Sequence, residues 1–139
     1  MKILVSACLL GRNCKYNGGN NYCEKVVRLA QQQEVIPVCP EVLAGMPIPR
    51  TPIEIVDGLV TDRDGNVVDT QIRRAVAQVM KQIKEEDIEY AVLKARSPTC
   101  GVHQIYDGSF SGTLTDGAGV LAQALMDAGY RVIDDEEMV

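Results

Sequence analysis

Tyr90-Ala91-Val92-Leu93-Lys94-Ala95-Arg96-Ser97-Pro98-Thr99-Cys100-Gly101 is the stretch on which the reading of the fold turns. Tyr90 to Leu93 reads as the end of a buried strand, and the residues after it form a turn carrying a cation, a hydroxyl, a rigid proline and a thiol. Ligands of open parallel sheets sit beyond the carboxyl ends of the strands, so polar chemistry in that place marks a candidate site. Two further expected strands end the same way. Lys2 to Ala7 is an aliphatic run without half-exposed alternation and leads into Cys8, and Glu34-Val35-Ile36-Pro37-Val38 leads into Cys39-Pro40-Glu41.

Outward from these strands, Asn21 predicts a helix cap, with the helix running to about Gln33 and Val26, Val27 and Ala30 at helical spacing. Pro37 lacks an N–H and predicts an edge position for its strand. Three prolines between Gly45 and Pro52 predict a stiff extended connection. Ile53 to Val68 reads as a hairpin inserted into the main sheet, with Asp64-Gly65 as its turn. Asp69 or Thr70 then caps a helix to about Glu86, whose apolar stripe is Ile72, Ala75, Val76, Val79, Met80 and Ile83. Beyond Gly101, Ile105 to Thr113 is dense in turn formers. A helix from about Asp116 to Ala128, a stop at Gly129 and a last strand Arg131-Val132-Ile133 follow. This alternation predicts an α/β three-layer sandwich, a small, mainly parallel, Rossmann-like sheet with a hairpin insertion, as one domain over residues 1–139.

The chain has 139 residues, 46% hydrophobic and 24% charged, which suits one core. Its net charge of -5 argues against a broad basic surface, so no nucleic-acid partner is expected. The apolar N-terminus is too short for a signal peptide and no run approaches membrane-spanning length, so the expected location is the cytoplasm, with no membrane partner. Five cysteines, an odd number, do not suggest a disulfide framework in a reducing compartment. Metal binding, catalysis and plain burial remain.

Cys8, Cys39 and Cys100 lie about one and two βαβ units apart, spacings that return each to the same sheet edge. Adjacent strands about 4.8 Å apart would let the three thiols share one metal centre. Three readings stay open on spacing alone: a four-ligand zinc completed by Cys14 or His103, a cubane cluster with one iron left open as a Lewis acid, or three buried thiols.

Ser6-Ala7-Cys8-Leu9-Leu10-Gly11 with Cys14-Lys15-Tyr16-Asn17-Gly18, Val38-Cys39-Pro40-Glu41-Val42-Leu43-Ala44-Gly45, Pro49-Arg50, Lys94 to Gly101, and Ile105 to Gly112 together resemble the small bacterial DUF523 family, which includes the thiouracil desulfidases. The resemblance covers nearly the whole chain. It implies a four-iron four-sulfur cluster on three cysteines, here Cys8, Cys39 and Cys100, with a fourth iron open to the sulfur of a small-molecule thiocarbonyl. It further implies a non-redox desulfidase that turns 2-thiouracil into uracil and sulfide. Cys14 and Cys23 match no ligand position.

Set beside that chemistry, Glu41 is a candidate acid or base for the water or the pyrimidine, or else a carboxylate at a helix start. Ser97 is a candidate catalytic hydroxyl, or a turn hydroxyl before Pro98. Arg50 and Arg96 are candidates to bind the substrate's oxygen edge, or surface ion-pair partners. His103, the single imidazole, falls outside the resemblance. A functional alternative is an iron–sulfur or zinc sensor or accessory protein without desulfidase activity.

Overall fold

A computed structural model describes residues 1–138. In chain order the elements are β1 (Lys2–Ser6), α1 (Glu24–Gln32), β2 (Val35–Val38), α2 (Pro40–Leu43), β3 (Ile53–Val56), β4 (Leu59–Asp62), α3 (Asp69–Lys84), β5 (Ile88–Leu93), β6 (Gln104–Tyr106), β7 (Leu114–Asp116), α4 (Val120–Asp127) and β8 (Val132–Asp134). The main sheet has four strands in the order β2-β1-β5-β8. Every pairing in it is parallel, with Ser6 opposite Val38 and Val5 opposite Val92.

The aliphatic runs of β1 and β5 are what a sheet covered on both faces requires. Leu4, Ala91 and Leu93 pack against Ile72, Val76, Val79 and Ile83 of α3 and Leu121 and Leu125 of α4. Ile3, Val5 and Val92 face the other way, against Val26 and Leu29 of α1. The result is the expected three-layer sandwich. Each fully buried aliphatic side chain of this kind contributes about 1.5–3 kcal/mol relative to exposure. Pro37 sits in β2, the edge strand, where its missing N–H costs no ladder bond on the open side.

Three local expectations are corrected. The hairpin is present as antiparallel β3 and β4, but its turn is Asp57-Gly58, with φ of 49° and 80°, and not Asp64-Gly65. Both dipeptides suit a two-residue turn; the pairing of Val56 with Leu59 selects the first, and Asp64-Gly65 makes a second turn whose Gly65 N–H donates to Asp62 O. The N-cap of α3 is Val68, without a side-chain cap bond. The buried Asp69 carboxylate instead accepts from Val60 N–H at 3.0 Å and Arg73 Nε at 2.8 Å, tying hairpin to helix. The turn-rich segment is flanked by a short antiparallel pair, β6 and β7, which occupies the residues up to Asp116, so α4 begins at Val120 and not near Asp116.

Candidate metal centre

The turn after β5 is fixed from three sides. Lys94 N–H donates to the buried Ser6 Oγ at 2.9 Å, and Ala95 N–H to Asp135 Oδ1 at 2.8 Å. Ser97 Oγ accepts from Thr99 N–H at 3.2 Å and Cys100 N–H at 3.1 Å, and Gly101 N–H donates to Ser97 O at 2.7 Å. The start of α4 supplies the third clamp, because its first N–H groups have no partners within the helix. Gly119, Val120 and Leu121 donate to the carbonyls of Gly101, Pro98 and Thr99 at 2.8, 3.0 and 2.8 Å. The packing is so close that a Cβ at Gly119 would lie 2.4 Å from the Thr99 carbonyl carbon, and one at Gly101 2.7 Å from Ser97 O.

Cys8 follows β1 in a 3₁₀ turn, Ala7–Leu10, closed by Gly11 at φ 88°. Asn21 Nδ2 donates to its sulfur at 3.4 Å. Cys39 follows β2 at the N-cap of α2, with Pro40 as the first helical residue, and the Val42 N–H reaches its sulfur. Cys100 receives Thr99 Oγ1 at 3.7 Å and the Ser6 hydroxyl. Since Thr99 donates to sulfur, the 3.1 Å contact between Ser97 Oγ and Thr99 Oγ1 is donated by Ser97.

All three cysteines line one cavity of about 540 Å³, together with Cys14, Glu41, Arg50, Arg96 and Ser97. The three candidate ligands and the candidates Glu41, Ser97, Arg50 and Arg96 are therefore brought to one place, and His103 is not. Burial pushes the Cys100 thiol up to about 12 and the Cys8 and Cys39 thiols above their ordinary value. Cys14 also goes up to about 12, first through burial and then through Cys39 and Cys8 beside it. Burial raises the Glu41 carboxyl above its ordinary value, opposed by Arg50.

Arg50 and Glu41 form an ion pair at 3.1 Å with side chains 4% and 17% exposed. Arg50 Nη2 also donates to Cys14 O at 2.8 Å. Arg96 stands in the left-handed region, φ 67°, and its guanidinium makes a two-point pair with Glu136, both contacts 2.6 Å. Any ligand contact at Arg96 exchanges against that pair.

Two residues left without a role are now located. Cys23 is the N-cap residue of α1 and packs with the apolar cluster under that helix. His103 lies outside the cavity, exposed and 2.7 Å from Glu137. Asn21, Lys94, Glu54, Tyr106 and Phe110 also line the cavity and were not singled out as site residues, and Cys14, expected only as a possible fourth zinc ligand, lines it as well. For Cys14 the signal was its position in the turn-rich loop directly after the first strand.

Among the described residues, the one cluster of three potential ligands within 4.8 Å of one another is His103, Asp134 and Glu137, away from the cavity. Among the described residues no three of the cavity cysteines have sulfurs that all lie within 4.8 Å of one another, whereas a tetrahedral zinc with bonds of about 2.3 Å needs sulfur separations of about 3.8 Å throughout. No helix among the described residues is long and apolar enough to cross a membrane.

Fold and site define a small α/β protein with a cysteine-lined cavity at the carboxyl edge of a parallel sheet. A sequence model of the 2-thiouracil desulfurase family matches residues 3–137, and the chain belongs to that family. It is 38% identical to the uncharacterized protein YbbK of Bacillus subtilis (strain 168), over 98% of this chain and 97% of the relative. It is also similar to the solved structure of the [4Fe-4S]-dependent thiouracil desulfidase TudS, a DUF523 protein. The TM-score is 0.92 at 32% identity, covering 99% of this chain and 92% of that one.

Proposed function

We propose that the chain is an iron–sulfur-dependent desulfidase that converts a thiocarbonyl compound such as 2-thiouracil to the oxo compound and sulfide, with water as the oxygen source and no net electron transfer. The observation that carries the reading is the convergence of Cys8, Cys39 and Cys100, from the ends of three neighbouring strands, on a cavity that also holds the Glu41–Arg50 pair. Family membership and the likeness to TudS support it.

The donor set fits a four-iron cluster better than a single ion. Its sulfurs are soft, the three do not all lie within 4.8 Å of one another, and each accepts at least one hydrogen bond, from Asn21, Val42 or the Thr99 and Ser6 hydroxyls. Such outer partners orient ligands and tune the bound group. Cys8, Cys39 and Cys100 would hold the cluster, and when bound it supplies one iron with an open position, a Lewis acid for a soft thiocarbonyl sulfur.

The chain's own groups perform the rest. Glu41 takes the proton of the water that attacks the thiocarbonyl carbon and delivers it to the departing sulfur, a task that a carboxyl raised by burial suits. Arg50 orients Glu41 and keeps it ionised often enough to act as a base. Ser97 holds the turn that presents Cys100, and its hydroxyl proton feeds the Thr99 contact to that sulfur. Arg96 guards the rim and binds the oxygen edge of substrate in exchange for Glu136. Atoms balance as thiocarbonyl plus water giving carbonyl plus hydrogen sulfide.

A second reading rests on Cys14. A fourth thiol in the same cavity suits a closed-cluster sensor without desulfidase activity. Protein reconstituted anaerobically with iron and sulfide decides between them: release of sulfide from 2-thiouracil without added reductant supports the enzyme, and tight iron with no release from a panel of thiocarbonyls supports the sensor.

A further inference from the structure

Tyr16, Tyr106 and Phe110 line the cavity that holds the cysteines. Phe110 is the single phenylalanine of a chain that has no tryptophan. It sits at φ 55°, a conformation that costs a bulky L residue energy and persists only where the surroundings enforce it. The enforcing group is Glu54, a carboxylate on β3 that is 8% exposed. Its Oε1 accepts from Gly108 N–H at 3.0 Å and Phe110 N–H at 3.2 Å.

Gly108 lets the loop come this close. At φ 92° a Cβ there would lie 2.6 Å from Ile55 O, so the loop presses directly on β3. Asp107 N–H donates to Thr113 O at 2.9 Å and closes the loop at its base. The hydroxyls of Ser109, Ser111 and Thr113 brace it internally. A buried carboxylate committed to two loop amides, and an aromatic residue held in strain over the cavity, are more than a solvated turn requires.

We infer that Phe110 is the specificity-determining wall of the site, selecting a flat conjugated ring over a puckered or open-chain thiocarbonyl, with Glu54 as the positioning residue that holds it there. The inference rests on the desulfidase reading of the same cavity. An aromatic face stacks on any planar heterocycle through dispersion and quadrupole contact and gains far less from a ring with saturated carbons. The backbone amides of 108 and 110, fixed by Glu54, leave Phe110 little freedom to follow a puckered ring.

The test compares matched ligands that differ in planarity. Calorimetry on anaerobically loaded protein measures uracil against 5,6-dihydrouracil, and kcat/KM is measured for 2-thiouracil against its 5,6-dihydro counterpart. The expected wild-type preference for the flat partner in binding is about tenfold, the lower part of the range for one stacked base. Phe110→Leu, which keeps bulk without a π face, should reduce the binding preference to less than twofold, Phe110→Tyr should restore it, and Glu54→Ala should lower it as Phe110→Leu does. Equal binding of the two rings by wild type, or a preference unchanged in Phe110→Leu, overturns the inference. So does an equal loss of both ligands in Phe110→Leu without rescue by Phe110→Tyr. Failure of the two readings is distinguishable: intact ring preference with no sulfide release from any thiocarbonyl contradicts the desulfidase reading alone, whereas sulfide release with no Phe110-dependent preference contradicts this inference alone.

Discussion

Arg50 Nη2 lies 3.1 Å from Glu41 Oε2 and 2.8 Å from the Cys14 carbonyl, so one buried guanidinium ties the residue two places after Cys39 to the loop after β1. The Arg50 backbone N–H adds a bond to Tyr16 O at 2.7 Å. The stiff proline-rich connection thus has a site function: it delivers a cation whose donors hold both an acid–base candidate and the cavity wall.

Replacing Arg50 by Leu leaves Glu41 partly buried and unpaired, and should destabilise the fold by about 3 kcal/mol at neutral pH, near the lower end for breaking a buried pair. The sign of the pH dependence follows from Glu41. Its folded pKa is raised by burial and Arg50 lowers it, so removing Arg50 raises it further. The folded state then holds the proton more tightly, and the destabilisation grows as pH rises above the ordinary carboxylate range through the raised value. Urea melts from pH 4 to pH 8 should show a growing deficit for Arg50→Leu, and Glu41→Gln in that background should recover most of it. A pH-independent deficit contradicts the pairing.

The acid limb of the rate profile should follow the same group. If Glu41 is the base, the limb in kcat/KM lies above the ordinary carboxylate pKa and moves to higher pH in Arg50→Lys, which keeps charge but loses the fork. Glu41→Gln should lower kcat by at least about a hundredfold, the lower bound for a positioned acid–base group, with bound iron unchanged. Loss of iron in Glu41→Gln would assign it a structural role instead.

Ser97→Ala removes the acceptor for the Thr99 and Cys100 N–H groups and should cost about 1–2 kcal/mol, as loss of a capping hydroxyl does. Ser97→Thr should keep most of the stability. Because the turn carries Cys100, iron content after reconstitution should fall with stability in Ser97→Ala. Normal loading and stability with lost activity would give Ser97 a direct catalytic role and no positioning role.

Gly119→Ala tests the clamp from α4. The added methyl meets backbone atoms of Thr99 and Cys100 at 2.4–2.7 Å, while φ of -69° places no strain on alanine itself. The cost is therefore overpacking, about 1–3 kcal/mol, and it should appear as a lower Tm together with weaker iron retention. Gly129→Ala, at φ 89° with open space around its Cβ, should lower Tm without affecting iron.

The parallel sheet was legible because β1 and β5 are apolar runs without alternation, and each is followed by a turn that carries a cysteine. The gathering of the candidate residues around one cavity was legible for the same reason, since strand ends in such sheets converge. What escaped depends on partners far away in sequence. The pairing of β6 with β7 is three residues long amid glycines and serines, and its loop is held by Glu54, more than 50 residues earlier. Arg96 gave no sign of its partner Glu136, nor Asp69 of its bond to the Val60 amide. Asp57-Gly58 and Asp64-Gly65 are equivalent as dipeptides; only the register of β3 against β4 separates them.

The most direct measurement of the central claim is iron and labile sulfide content of anaerobically reconstituted protein, paired with sulfide release from 2-thiouracil, for wild type and for Cys8→Ser, Cys39→Ser and Cys100→Ser. A cluster held by the three cysteines requires about four irons and four sulfides per chain, stoichiometric uracil and sulfide without a reductant, and loss of both loading and release in each variant. Full release from Cys100→Ser, or wild type that binds zinc in place of iron and releases nothing, would contradict it.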